Sequence, residues 1–183
     1  MKQLDRVLQH WRIRKVLPYL KRGAKVLDIG SVDGTLFQHA LQLSAGSLGI
    51  DPILPRSEKN GRFTLIRGFF PKDMPLDAGP FDAITMLAVL EHFPEEELTI
   101  LADGCMKYLV PGGLLLITVP SPFVDAILKW LRRFRLIDGM SLEEHHGYKV
   151  EQTSLIFAEP VFMLVRHQTF QLGLNNLFVF RRQ

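Results

Sequence analysis

Residues 26–37, VLDIGSVDGTLF, set an aspartate near the end of an apolar run, then two glycines four positions apart, then a pattern that opens a helix. A strand, a tight glycine-bearing turn and a helix in that order are how open α/β sheets build nucleotide sites. Glycine lets the backbone approach a ligand closely, and the first helix amides face it. Asp28, Gly30 and Gly34 therefore mark a candidate cofactor cradle. Asp51 ends the next apolar run, at about the twenty-residue spacing that brings a second acid to such a cradle.

Imidazoles form the second set. His92 follows Glu91 in LEHF, and His145 and His146 follow Glu143 and Glu144 in LEEHHGY. An imidazole titrates near neutral pH and can take a proton from a hydroxyl while a neighbouring carboxylate orients the ring. The competing readings are a structural role for Glu91–His92 at a strand-to-helix junction and plain exposure of His145 and His146 in a loop. Because the two loop histidines are adjacent rather than spaced along one helix face, they are not a helical metal motif.

These residues need elements to hold them. Short apolar runs, KVLDIG, SLGID, FTLIRGF, FDAITMLAV and GLLLITVP, have the length of buried strands. Helical patterns at 34–43 and 95–109 lie between them, so alternation argues for a parallel, doubly wound sheet. An amphipathic helix is expected over 3–21, kinked at Pro18, and another over 122–137. At the end, PVFMLVRHQTF and NNLFVFRR are separated only by QLGL, which leaves no room for a crossover helix and predicts an antiparallel hairpin. NNLFVF is the strand expected at the exposed edge, where a second copy could pair.

The succession VLDIGSVDG, LGID, RGFFPKDMPL, FDAITMLAVLEHF and LVPGGLLLITVP resembles the class I S-adenosylmethionine-dependent methyltransferases over about residues 24–120, and the closing hairpin resembles that family's last two strands. The resemblance implies a Rossmann-like, mostly parallel seven-stranded sheet with a C-terminal antiparallel hairpin. It also implies methyl transfer from S-adenosylmethionine, releasing S-adenosylhomocysteine, with an oxygen of a small molecule, glycan or lipid-linked intermediate as acceptor. Cofactor contacts would fall on Asp28, Gly30, Ser31, Val32, Asp33, Gly34, Asp51, Pro52, Gly68, Phe69, Phe70 and Leu87. Asp28 would order the turn or meet the cofactor's ammonium, Asp51 would accept from the ribose diol, and Phe69 or Phe70 would pack on the adenine or join the core. His92, His145 and His146, with Glu91, are the candidate catalytic groups.

The chain departs from the family pattern at three places. Val32 occupies the position of the middle glycine, and Phe69 stands where an acid often reads the adenine amino group. In some quinone-pathway O-methyltransferases a further Glu, associated with a metal, lies three residues before the glutamate of the EH pair, where this chain has Ala88; no required metal is inferred. The first two departures keep a non-catalytic binding or partner role alive as the alternative. A nicotinamide enzyme is disfavoured, because its Gly-x-Gly-x-x-Gly fingerprint differs from the Asp-x-Gly-x-x-x-Gly spacing here.

Composition narrows the remainder. The 183 residues suit one domain with its own core, and no apolar run reaches the ~18–20 residues of a membrane span. The opening residues are too charged for a signal peptide and Cys105 is the lone cysteine, which together fit a reducing cytoplasm. A net charge of +3 is too small to argue for nucleic acid. The basic aromatic stretch 123–135 has two readings, a core or lid face and a peripheral contact with an anionic membrane. Residues 121–150 as a whole are expected to form a substrate-side helix and loop, and oligomeric state is not readable.

Overall fold

The computed structural model describes residues 3–121 and 148–183, with side chains from Arg6 onward in the first stretch. The strands are β1 (Val26–Ile29), β2 (Ser47–Asp51), β3 (Glu58–Lys59), β4 (Phe63–Arg67), β5 (Phe81–Leu87), β6 (Leu109–Pro120), β7 (Phe162–Phe170) and β8 (Asn175–Arg182). They form one sheet in the order β3-β4-β2-β1-β5-β6-β8-β7. The pairs β4–β2, β2–β1, β1–β5 and β5–β6 are parallel. β8 runs antiparallel to both β6 and β7, so the expected mostly parallel sheet with a closing hairpin is what forms.

The sheet has eight strands rather than the expected seven, because β3 adds an antiparallel pair of residues beside β4. Both β3 residues are exposed and charged, so no apolar run announced them. A second correction concerns the edge. β8, which carries NNLFVF, lies between β6 and β7 and is almost wholly buried, whereas β7 is the outer strand and carries the exposed Leu164, Val165 and Arg166.

Every residue of β1 and β2 is buried, which explains why both read as continuous apolar runs instead of alternating ones. Two apolar clusters cover the sheet. One packs Ile13, Val16 and Leu20 with Leu36 and Phe37, using the helices α1 (Gln3–Val16) and α2 (Thr35–His39). The other packs Leu98, Leu101, Cys105 and Tyr108 of α3 (Leu98–Tyr108) with Phe157 and Phe162, alongside the short α4 (Gln152–Ile156).

Pro18 ends α1 rather than kinking it. It cannot donate to the carbonyl of Arg14, and the chain tightens into a 3-10 turn over Leu17–Tyr19. α2 is shorter than the expected 34–43, and the expected helix over 95–109 opens as a 3-10 turn, Glu95–Glu97, before α3 begins. α4 was not anticipated, since five residues of mixed polarity carry little periodicity. The helix expected over 122–137, the segment 123–135, His145 and His146 lie outside the described residues.

Candidate functional site

All parallel strands end on one edge of the sheet, and most of the predicted cofactor residues gather there. Asp28 is buried in β1 between Gly49 of β2 and Thr85 of β5. The Thr85 hydroxyl donates to its Oδ1 at 2.6 Å. Burial pushes the Asp28 carboxyl up to about 7; the Thr85 hydroxyl, and Ser31 more weakly, oppose the rise, while the charges of Asp51 and Asp33 add to it.

The turn after β1 is pinned to β2. Gly30 N–H donates to the Ile50 carbonyl at 2.9 Å, and Val32 N–H donates to Asp51 Oδ2 at 3.2 Å. Gly30 has φ +82, and a Cβ there would fall 2.2 Å from Cγ2 of Val89, so glycine is required by dihedral and by space alike. Gly34 is left-handed at φ +67 and opens α2. Asp33 Oδ1 accepts from the amide of Thr35 at 3.0 Å and its hydroxyl at 2.5 Å, and Gln9 Nε2 of α1 reaches the same oxygen at 3.4 Å. Ser31 Oγ is buried beside this turn, near enough to Asp28 to favour its charged form but without a hydrogen bond of ordinary geometry.

Asp51 closes β2, buried, with both oxygens engaged. Oδ1 accepts from Ile53 N–H at 2.8 Å and Oδ2 from Val32 N–H. Each oxygen keeps a second lone pair, so the carboxylate organises two turns and still has acceptor capacity. Pro52 follows it, exposed. Gly68 N–H donates to the Asp51 carbonyl at 3.2 Å, which ties the loop after β4 to the end of β2.

The two phenylalanines of RGFF separate. Phe69 is 63% exposed beside this edge, while Phe70 is buried with its ring 5.9 Å from that of Tyr108 and packed on Gly104. Phe70 is thus a core residue, which corrects its candidacy as an adenine wall. Sequence reasoning missed Asp73, whose Oδ2 accepts the Phe69 N–H at 2.8 Å and whose side chain packs on Gly68. The acid in RGFFPKD was visible, but not its reach back over four residues.

Across the edge, Leu87 ends β5 and Ala88 takes φ +60 while its N–H donates to the Thr118 carbonyl at 2.8 Å. In the 3-10 turn Leu90–His92 the Glu91 side chain is buried and His92 is exposed. Tyr148 shares a 2.6 Å hydrogen bond with Thr153. Burial pushes its phenol well above the ordinary range, the Thr153 bond opposes that, and the charge of Glu91 adds to it, so Tyr148 belongs to the surroundings of Glu91. Tyr148 and the buried Thr118 hydroxyl were also missed: both lie in stretches singled out for other residues, and only the fold buries them beside this edge. No cluster of three His, Cys, Asp or Glu side chains suited to a metal occurs among the described residues, and no described helix is long and apolar enough to cross a membrane.

Residues 2–156 match the family described as "Methyltransferase domain". The ubiquinone biosynthesis O-methyltransferase of Psychrobacter cryohalolentis is 30% identical over 130 residues, covering 63% of this chain and 50% of that protein. Its counterpart in Xanthomonas axonopodis pv. citri is 31% identical over 119 residues, covering 58% of this chain and 48% of that protein. The chain spans about half the length of the curated relatives it matches. Among solved structures, magnesium protoporphyrin IX methyltransferase from Synechocystis with bound S-adenosylhomocysteine superposes with a TM-score of 0.66 at 17% identity, over 97% of this chain and 85% of that one. The N-methyltransferase NodS of Bradyrhizobium japonicum gives 0.64 at 18%, over 97% and 98%. At these identities the structural matches speak for the fold.

Proposed function

This chain belongs to the class I S-adenosylmethionine-dependent methyltransferases, and from that premise we propose that it transfers a methyl group from S-adenosylmethionine to an oxygen of a small-molecule acceptor, releasing S-adenosylhomocysteine. The observation that carries the reading is the Val32–Asp51 bond, which brings the glycine turn and the acid of the second strand into one cradle. The oxygen acceptor rests on the matched O-methyltransferases.

The residues present fit the cofactor. Asp28 is a buried carboxyl at the turn that a cationic amine would hold ionised, and the orphaned Ser31 hydroxyl offers a further polar contact. Gly30 and Gly34 let the backbone come close, and Asp51 retains lone pairs for a diol. Val32, Asp33, Pro52, Gly68, Phe69 and Leu87 border the same sheet edge. Bound S-adenosylmethionine supplies an electrophilic methyl on a sulfonium, and alignment of the two reactants then supplies much of the rate.

The remaining work falls to the chain. His92 is exposed at this edge and can take the proton of an acceptor hydroxyl, with the buried Glu91 beside it in the same turn. His145 and His146 remain candidates for the same role. A glycan or lipid-linked acceptor, with peripheral membrane contact through 123–135, is the extension that the basic aromatic composition of that stretch supports. A non-catalytic binding role is the second reading, favoured by the valine in place of the middle glycine.

The test is S-adenosylhomocysteine release with a panel of catechols and phenols, comparing the wild-type chain with His92→Asn. Turnover that is slowed in the variant, with unchanged cofactor binding, supports the assignment. Cofactor binding without turnover on phenolic acceptors excludes a phenolic acceptor, and absence of turnover on glycan and lipid-linked acceptors as well moves the reading to the binding role.

A further inference from the structure

His10 of α1 and His39 of α2 meet with Nε2 atoms 2.9 Å apart and ring centroids 4.5 Å apart. His10 Nδ1 lies 2.6 Å from the Arg6 carbonyl oxygen. That oxygen only accepts, so the His10 proton sits on Nδ1 and Nε2 presents a lone pair toward His39. A ring N–H held by a backbone carbonyl is also the support that fixes the tautomer of a metal-bound histidine.

Two arrangements bring imidazole nitrogens this close. In a straight N–H···N hydrogen bond the two ring axes are nearly collinear, and a centroid-to-nitrogen distance of about 1.1 Å would put the centroids about 5.2 Å apart. The observed 4.5 Å is shorter, so the ring axes are tilted off that line, as those of two rings sharing one cation are. Two imidazoles bound cis at about 90° to a cation about 2.05 Å away would have nitrogens about 2.9 Å and centroids about 4.5 Å apart. A tetrahedral angle would open the nitrogens to about 3.3 Å.

We propose that His10 and His39 form a cis bis-imidazole site for a divalent transition cation of tetragonal preference, Cu²⁺ or Ni²⁺ rather than Zn²⁺. No third side chain of the metal-binding kinds completes a cluster among the described residues, so water fills the remaining positions. His39 stands in the last turn of the helix that Gly34 opens, and Gln9, next to His10, reaches Asp33. A cation here fastens α1 to the helix behind the cradle.

The experiment is isothermal titration of the tag-free, EDTA-treated full chain with NiCl₂ and ZnCl₂ in a non-chelating buffer, for wild type, His10→Asn and His39→Asn. Both rings are at least partly exposed, so both variants should fold, and circular dichroism checks that they do. The site predicts one Ni²⁺ per chain, bound more tightly than Zn²⁺, with affinity falling at least about tenfold in each variant because chelation is lost. It also predicts that Ni²⁺ raises the melting temperature of the wild type alone. Equal Ni²⁺ affinity in all three proteins, or Zn²⁺ bound more tightly than Ni²⁺, overturns it. Neither result depends on cofactor or acceptor.

Discussion

The Thr85 hydroxyl sits 2.6 Å from Asp28 Oδ1, across the register pair that joins β1 to β5. This bond supports the charged carboxylate, yet burial outweighs it and leaves Asp28 near 7 instead of its ordinary 3.8. Between those two values the folded chain holds a proton that the unfolded chain has released, so stability falls as pH rises through the window from about 4 to 7. Asp28→Asn should flatten that slope, read from urea midpoints at pH 5 and pH 8. A cationic amine binds the ionised form, so affinity for S-adenosylmethionine should weaken below pH 7, approaching about tenfold per unit, and titrations in buffers of different ionisation enthalpy should show proton release at neutral pH.

Gly30→Ala tests the turn itself. The substitution places a Cβ at positive φ and into Val89, so both strain and overlap act. A loss of about 1–3 kcal/mol in stability is expected, together with loss of cofactor binding. Retention of wild-type stability would show that the loop can move away from Val89.

The two adjacent phenylalanines should behave as opposites. Phe70→Ala empties a core position and should cost about 3–5 kcal/mol in a denaturant titration. Phe69→Ala removes an exposed ring and should leave stability within about 0.5 kcal/mol while weakening the cofactor. No composition or motif distinguishes the two residues; only the packing of Phe70 against Tyr108 and Gly104 does so.

That pair shows where sequence reasoning reached its limit. The buried parallel strands and the closing hairpin were legible because β1 and β2 are buried on both faces and because Gln171–Leu174 is too short for a crossover, whereas the order of the strands was not. The cradle glycines were legible for the same local reason: each marks a turn that only a left-handed backbone can make. β3 and α4 were not, since elements of two and five residues lack a period. The edge position of β7 is a property of the assembled sheet, and so are the reach of Asp73 to the Phe69 amide and the closeness of Tyr148 to Glu91.

Val32 is the departure from the family pattern with the clearest remedy. Its amide is committed to Asp51 while its side chain is 41% exposed over the turn. Val32→Gly keeps the amide and removes the side chain. The expected result is tighter S-adenosylmethionine binding at a stability cost of about 0.5–1 kcal/mol, measured by titration and thermal melting.

Isothermal titration with S-adenosylmethionine and S-adenosylhomocysteine, comparing wild type with Asp51→Ala and Asp51→Asn, tests the cradle most directly. The account predicts binding of both ligands to the wild type and its loss in Asp51→Ala. Asp51→Asn, which keeps one acceptor oxygen, should fall between them. Melting curves show whether each variant is folded, since Asp51 also anchors the amides of Val32 and Ile53. Undiminished binding in a folded Asp51→Ala chain, or no binding to the wild type, would contradict a cradle built on this carboxylate.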